Sequence, residues 1–174
     1  MNTGKSAILR QKIRSGVKKF LIPEWNLRTA VKLAVLLVVS TVFFTVFRPC
    51  IINGESMLPT YRNRKLVFCN TLRYLKNPPQ RGDVVVIKYV GSKYLLKRLV
   101  ALEGDTVGFT DGRLIVNGET VDEPYVRCRG SWNLEPVTVA PGKCFVVGDN
   151  RGQPAYEHLF GEVDLSRIIG GLLF

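Results

Sequence analysis

The stretch KYLLKRLVALEGDTVGFTDGRLIVNGETV, residues 93–121, decides the fold. Branched and aromatic side chains recur through it with short-period alternation, and no run carries a helical spacing. Asp111-Gly112 and Asn117-Gly118 interrupt it, and these dipeptides tolerate the positive φ of a tight hairpin turn. Tyr94–Leu102, Thr106–Thr110, Arg113–Val116 and Glu119–Val121 are therefore predicted strands, with Asp105–Val121 forming a meander. Working outward, Val84–Tyr89, Val137–Ala140 and Cys144–Val147 read as further strands, and Pro141-Gly142 as a turn. The second half of the chain is thus an all-β domain without repeats or disordered linkers.

Composition agrees with one such domain plus an appendage. The chain has 174 residues, 46% of them apolar, with 9 Pro and 16 Gly; collagen-like, coiled-coil, low-complexity and multi-span membrane classes are excluded. The net charge of +11 raises the question of a nucleic-acid partner. Most of that charge sits before residue 33, where Lys5, Arg10, Lys12, Arg14, Lys18, Lys19, Arg28 and Lys32 face the single acid Glu24. The rest carries no basic stripe interleaved with aromatics, so no nucleic-acid partner is expected.

The basic tail is better explained by the apolar segment on its C-terminal side. Residues 33–47 read LAVLLVVSTVFFTVF without a charge. Extended back to Ala30 across Lys32, the segment makes roughly 27 Å of helix, enough to span a bilayer. Lys32 can snorkel to the headgroups, Arg48-Pro49 ends the helix, and the basic residues place the N-terminus inside. A cleaved secretory signal would need small residues just past the apolar core, where Phe47, Arg48, Pro49 and Cys50 stand. The expected organisation is a basic cytoplasmic tail over 1–29, mobile to about residue 20, a transmembrane anchor over 30–47 and an exported β-rich domain over 48–174. Cys50, Cys69, Cys128 and Cys144 show no CxxC spacing and His158 is the one histidine, so no metal is expected. An oxidising compartment permits a disulfide; Cys128 with Cys144 is the pairing considered, against buried thiols.

Few residues could do chemistry. With one histidine, in a Gly/Pro-rich segment that also suits a plain surface loop, a Ser-His-Asp triad has little to build on. A serine can instead be activated by a lysine that burial keeps neutral. Strand alternation puts Leu95, Lys97, Leu99 and Ala101 on one face, giving Lys97 the apolar neighbours that depress a lysine's pKa; periodicity alone favours a lysine reaching water from an edge strand. The candidate serine is Ser56 in NGESMLPTY (53–61), with Gly54 permitting close backbone approach, Met57 apolar beside it and Pro59 stiffening the chain. Ser56 lies nine residues beyond Phe47, so it is within about 30 Å of the membrane exit.

These residues carry a resemblance. GESMLPT (54–60), RGDVVVI (81–87), KRLVALEGD (97–105) and GDNR (148–151) resemble, in order, the motifs of the type I signal peptidases, the membrane-anchored Ser-Lys peptidases also called leader peptidases. The resemblance implies a signal-peptidase-like β fold, Ser56 as nucleophile, Lys97 as general base, Arg98 and Asp149 as a supporting ion pair with Asn150 beside it, and no cofactor. It implies removal of signal peptides from exported preproteins after small residues, a bacterial cytoplasmic membrane with the catalytic domain on the outer side, and the lipid bilayer and export machinery as surroundings.

Two positions depart from the pattern. Many members carry a serine at the place of Gly54, which leaves the oxyanion to backbone N–H groups. In the last motif, Pro154, Tyr156, Glu157 and His158 stand where members have Ser, Asp, Ser and Arg, while Gly148 and Gly161 keep their spacing. The hydroxyl that contacts the lysine is missing, and Glu157 and His158 are the candidates to replace it. Three rival readings remain at this point: a specialised processing peptidase of an organellar inner membrane or a conjugation system, a non-catalytic anchored homologue, and a nucleic-acid binder acting through the tail.

Overall fold

The computed structural model describes residues 26–91 and 93–173. The chain divides into two units, one ending at Phe43 and one running from Phe44. Most of the expected basic tail, and its mobility, falls outside the described residues.

Helix α1 spans Leu27–Val46, beginning three residues before the expected anchor. Asn26 caps it, its side-chain oxygen accepting the Thr29 N–H at 2.8 Å, which satisfies one of the donors a helix start leaves open. Among the described residues it is the one helix long and apolar enough to cross a membrane. It contains no acidic residue, and its Leu, Val and Phe side chains are largely exposed along its length.

The first strand follows the helix directly. Phe47–Ile51 is already strand β1, where the sequence suggested only a helix stop. Pro49 is tolerated because β1 lies at the edge of its sheet, where a missing N–H costs no ladder bond. The other strands are β2 (Leu66–Asn70), β3 (Val84–Lys88), β4 (Tyr94–Leu102), β5 (Thr106–Thr110), β6 (Arg113–Val116), β7 (Glu119–Thr120), β8 (Leu134–Thr138), β9 (Lys143–Val147), β10 (Gly161–Asp164) and β11 (Ile168–Leu172). The predicted meander is β5–β6–β7, with Asp111 and Asn117 at positive φ.

Two antiparallel sheets result. The larger has the order β1-β2-β11-β3-β4-β9-β10, the smaller β7-β6-β5-β8. In β3, Val85 and Ile87 enter one apolar cluster with Leu99, Cys144 and Val146, while Val86 faces another with Ile52, Val67, Cys69 and Leu172, as the two-residue period of a strand requires. A third cluster packs the small sheet's Val107, Phe109, Leu114 and Val116 against Val100, Ala101, Phe145 and Val147. The alternation expected for β4 therefore stops at Leu99. A register shift against β9 between Leu99 and Ala101 puts Val100 and Ala101 into one cluster, since a bulge rotates the residues beyond it.

The Cys128–Cys144 pairing does not form, and both cysteines are free. Cys144 is fully buried on β9 with its Sγ 3.6 Å from the Val163 carbonyl oxygen, whereas Cys128 is exposed. Burial pushes the Cys144 thiol up to about 11, so it is an inert packing group.

A buried ion pair pins the segment after β9 to the loop before β8. Arg151, with no exposed surface, donates from Nη2 to Glu123 Oε1 at 2.6 Å and from Nε to the Gly148 carbonyl at 2.7 Å; Glu123 is 1% exposed. Removing one member of such a pair strands the other charge in the interior. Glu123→Ala is expected to lower unfolding free energy by about 3–5 kcal/mol, read as a fall in the denaturant midpoint of the detergent-solubilised chain.

Candidate active site

Ser56 lies on the connection between β1 and β2. That connection is closed at its base by Arg64 N–H donating to the Ile52 carbonyl at 2.8 Å and Ile52 N–H to the Lys65 carbonyl at 3.0 Å. At its tip the chain makes a tight turn, with Leu58 N–H on the Glu55 carbonyl and Tyr61 N–H on the Met57 carbonyl. Gly54 has φ +110° and donates its N–H to Asn63 Oδ1, a conformation that favours glycine and disfavours any residue with a side chain. Met57 is buried and anchors the turn from below, while Pro59, after a cis peptide bond, is exposed.

The segment after β9 holds this turn in place. Asn150 N–H donates to the Ser56 carbonyl at 2.9 Å, and its side-chain amide to the Glu55 carbonyl at 3.1 Å. Gly148 approaches so closely that a Cβ there would collide with the Ser56 carbonyl oxygen and lie 3.1 Å from the Ser56 Cβ. Asp149, fully buried, accepts from Thr60 Oγ1 at 2.6 Å and from Arg98 Nε and Nη2 at 2.8 and 2.7 Å. The paired Arg98–Asp149 geometry is the bidentate fork that makes such bonds strong, and the Arg98 guanidinium also lies 3.7 Å from the Tyr125 ring centroid.

Lys97 is the neighbour of Arg98 on β4 and is 3% exposed. The β4–β9 ladder pairs Arg98 with Val147; the next residues on the two strands are Lys97 and Gly148, so β4 brings Lys97 to the residue that abuts Ser56. Burial drives the Lys97 pKa down to about 8, with Asp149 pulling the other way. Loss of solvation disfavours the ammonium, which is what a lysine needs to act as a base near neutrality. The alternative of a lysine reaching water from an edge strand is not what the structure contains, since β4 lies between β3 and β9.

A small pocket of about 60 Å³ opens beside Ser56. The end of β1 and the start of its connection (Cys50, Ile52, Gly54) and the start of β4 (Leu95, Leu96) form its walls, with Val67 and Val86 behind. Apolar residues dominate its lining, which suits it to an apolar side chain.

Glu157 and His158 part company. Glu157 sits in a single 3₁₀ turn, Ala155–Glu157, with its side chain exposed. His158 is buried, edge-on to Trp132 with ring centroids 4.8 Å apart. Glu123, Tyr125, Arg151 and Thr60 belong to the site's support and were assigned no role from the sequence. Arg151 and Thr60 each stand in a quoted motif, while Glu123 and Tyr125 lie outside any regular spacing.

Comparison with known proteins fits this arrangement. The model of the signal peptidase family, peptidase S26, matches residues 24–174. Signal peptidase I of Bacillus caldolyticus is 35% identical over 151 residues, covering 79% of this chain and 83% of that protein. Signal peptidase I S of Bacillus subtilis is 38% identical over 146 residues, 77% of each chain. Signal peptidase IB of Staphylococcus aureus is 30% identical over 176 residues, covering 91% and 90%. Relatives at 30–38% identity over most of the chain make it a serine peptidase, a hydrolase of peptide bonds. The chain belongs to the signal peptidase family, peptidase S26.

The contact at Gly148 yields a test. Gly148→Ala is expected to displace the Ser56 turn and lower kcat/KM by about 100-fold, with the circular dichroism spectrum of the folded chain retained.

Proposed function

We propose that this chain is a membrane-anchored serine endopeptidase that removes signal peptides from exported preproteins after small residues, with Ser56 as nucleophile and Lys97 as general base. One observation carries the reading: a lysine 3% exposed, its pKa lowered to about 8, on the strand whose neighbour clamps the Ser56 main chain. The names of the relatives support signal peptides as the substrate class. Residues 1–29 form a cytoplasmic tail, 30–47 the anchor in a bacterial cytoplasmic membrane, and 48–174 the peptidase domain on the outer side. The anchor confines enzyme and substrate to one lipid surface, since a signal peptide's apolar core lies in the bilayer.

The chemistry is acyl transfer. Neutral Lys97 Nζ takes the Ser56 Oγ proton as Oγ bonds to the scissile carbonyl carbon, and the oxyanion is received by the Ser56 backbone N–H. Collapse breaks the peptide C–N bond; the proton passes from Lys97 to the leaving amine. Lys97 then deprotonates a water that attacks the acyl-enzyme ester, restoring Ser56. Residues one and three before the cut are small because the pocket beside Ser56 is small, and the substrate lies extended against the β1 edge, an exposed strand open to pairing.

The sign of the pH dependence is set by the base being the neutral amine. Activity rises about tenfold per pH unit below the Lys97 midpoint and levels above it, with that midpoint about 8. Cleavage of a preprotein with an Ala-x-Ala site by the detergent-solubilised chain, from pH 6 to about 10, checks this; Ser56→Ala and Lys97→Ala are each expected to be silent throughout. Cleavage retained in either variant would refute the dyad.

A further inference from the structure

The connection that carries Ser56 leaves β1 as a continuation of the β1–β2 ladder. Ile51 stands opposite Leu66, and the same register carried on to Gly54 sets it opposite Asn63. Main-chain groups make the first rungs past the strand: Ile52 N–H donates to the Lys65 carbonyl at 3.0 Å, and Arg64 N–H to the Ile52 carbonyl at 2.8 Å. Beyond them, where Arg64 takes φ +61°, the acceptor for the Gly54 N–H is the Asn63 side chain, with Oδ1 at 3.1 Å. A side-chain amide thus supplies the rung that a strand carbonyl supplies elsewhere. Asn63 is exposed, so packing is not what it contributes.

That rung governs groups on the opposite edge. A trans peptide is planar, with its C=O and N–H pointing in opposite directions. With the Ile52 carbonyl held on the β2 side, the Asn53 N–H points away from β2; with the Gly54 N–H held there too, so does the Asn53 carbonyl. Asn53 therefore presents a donor and an acceptor together along the edge that β1 leaves open, as a strand residue does toward a hydrogen-bonded neighbour. Ile51, Ile52, Asn53 and Gly54 line the pocket beside Ser56, so a peptide seated in that pocket meets this edge.

The two halves of the pair are not equally secured. Main chain alone orients the Asn53 N–H, whereas the carbonyl depends on one amide oxygen. Gly54 has no Cβ, and the space where one would stand is open, with no atom within 4 Å; neither sterics nor packing keeps the Asn53–Gly54 peptide from rotating. Asn150 holds the Glu55 carbonyl with its side-chain amide and the Ser56 carbonyl with its N–H, but both bonds lie on the far side of Gly54 and leave the Asn53 carbonyl unset.

We propose that Asn63 is a positioning residue for substrate binding: by holding the Gly54 N–H it points the Asn53 carbonyl at the open edge, where that carbonyl accepts a main-chain N–H of the extended preprotein segment. The proposal rests on the reading of this chain as a peptidase whose substrate pairs with the β1 edge. A peptide N–H is common to every substrate, so the contact adds affinity without reading sequence.

The test compares Asn63→Leu, which removes the acceptor at similar size, with Asn63→Asp, which keeps it. Arg62, Arg64 and Lys65 flank the position and offset the added charge. Both are made in the full chain in detergent, and steady-state kinetics are measured on a soluble peptide spanning an Ala-x-Ala site, with thermal midpoints alongside. Asn63→Leu is expected to raise KM about 5- to 10-fold and to hold kcat within about twofold, because a contact made equally in ground and transition states shows in KM alone. Asn63→Asp is expected to restore the wild-type KM. A loss of folded enzyme would do the reverse, lowering apparent kcat and leaving KM where it was. A wild-type KM in Asn63→Leu, or a KM raised equally in both variants, overturns the proposal; Asn63→Ala, which also lacks the acceptor, takes the place of the Leu variant if that one does not fold. If Ser56→Ala cleaves the same peptide, it is the dyad that fails, which separates the two readings.

Discussion

The fork between Arg98 and Asp149 is the contact on which the rest of the site depends. It ties a central strand, the segment after β9 and, through Thr60, the connection carrying Ser56 to one another. Both charges are out of water, so each is tolerable only with the other present. Tyr125 covers the guanidinium and donates its hydroxyl to Glu123, which in turn holds Arg151. The fork thus continues into a second ion pair, and four charged side chains stabilise one another beside the turn that carries Ser56.

This support explains how a lysine can be both buried and usable. Asp149 would be the natural counterion of Lys97 and would hold it protonated. With both carboxylate oxygens engaged by Arg98 and Thr60, its pull is the lesser influence and desolvation the greater. The domain in effect diverts a negative charge from Lys97 to a neighbouring arginine one residue along the same strand.

Much of this was legible in the sequence, and the gaps have physical reasons. Tyr94–Leu102, Thr106–Thr110 and Arg113–Val116 emerged with their observed boundaries because alternation and Asp-Gly and Asn-Gly turns coincide there. Strands β1 and β11 were missed, since Pro49 and the pair Gly170-Gly171 are depleted in strand interiors; one is tolerated at a sheet edge, the other beside a register shift against β3. Strand β2 carries a clear alternation but only five residues, and β10 only four. Ser56, Lys97 and the Gly148–Arg151 segment stood out as motifs. Glu123 could not, because its partner is 28 residues away along an irregular path. Burial of His158 was equally hidden, set by Trp132 from a different loop.

The central place of β11 bears on how the molecule comes to life. Strands β2 and β3 are neighbours in sequence, yet in the sheet Ile168–Leu172 stands between them. Until that strand is delivered, the β1–β2 ribbon bearing Ser56 has no ladder to the β3–β4–β9 ribbon bearing Lys97. A chain in which β11 has not yet paired therefore lacks the ladder that joins the Ser56 ribbon to the Lys97 ribbon, so the closeness of the two residues is a product of the completed sheet and not of either ribbon alone.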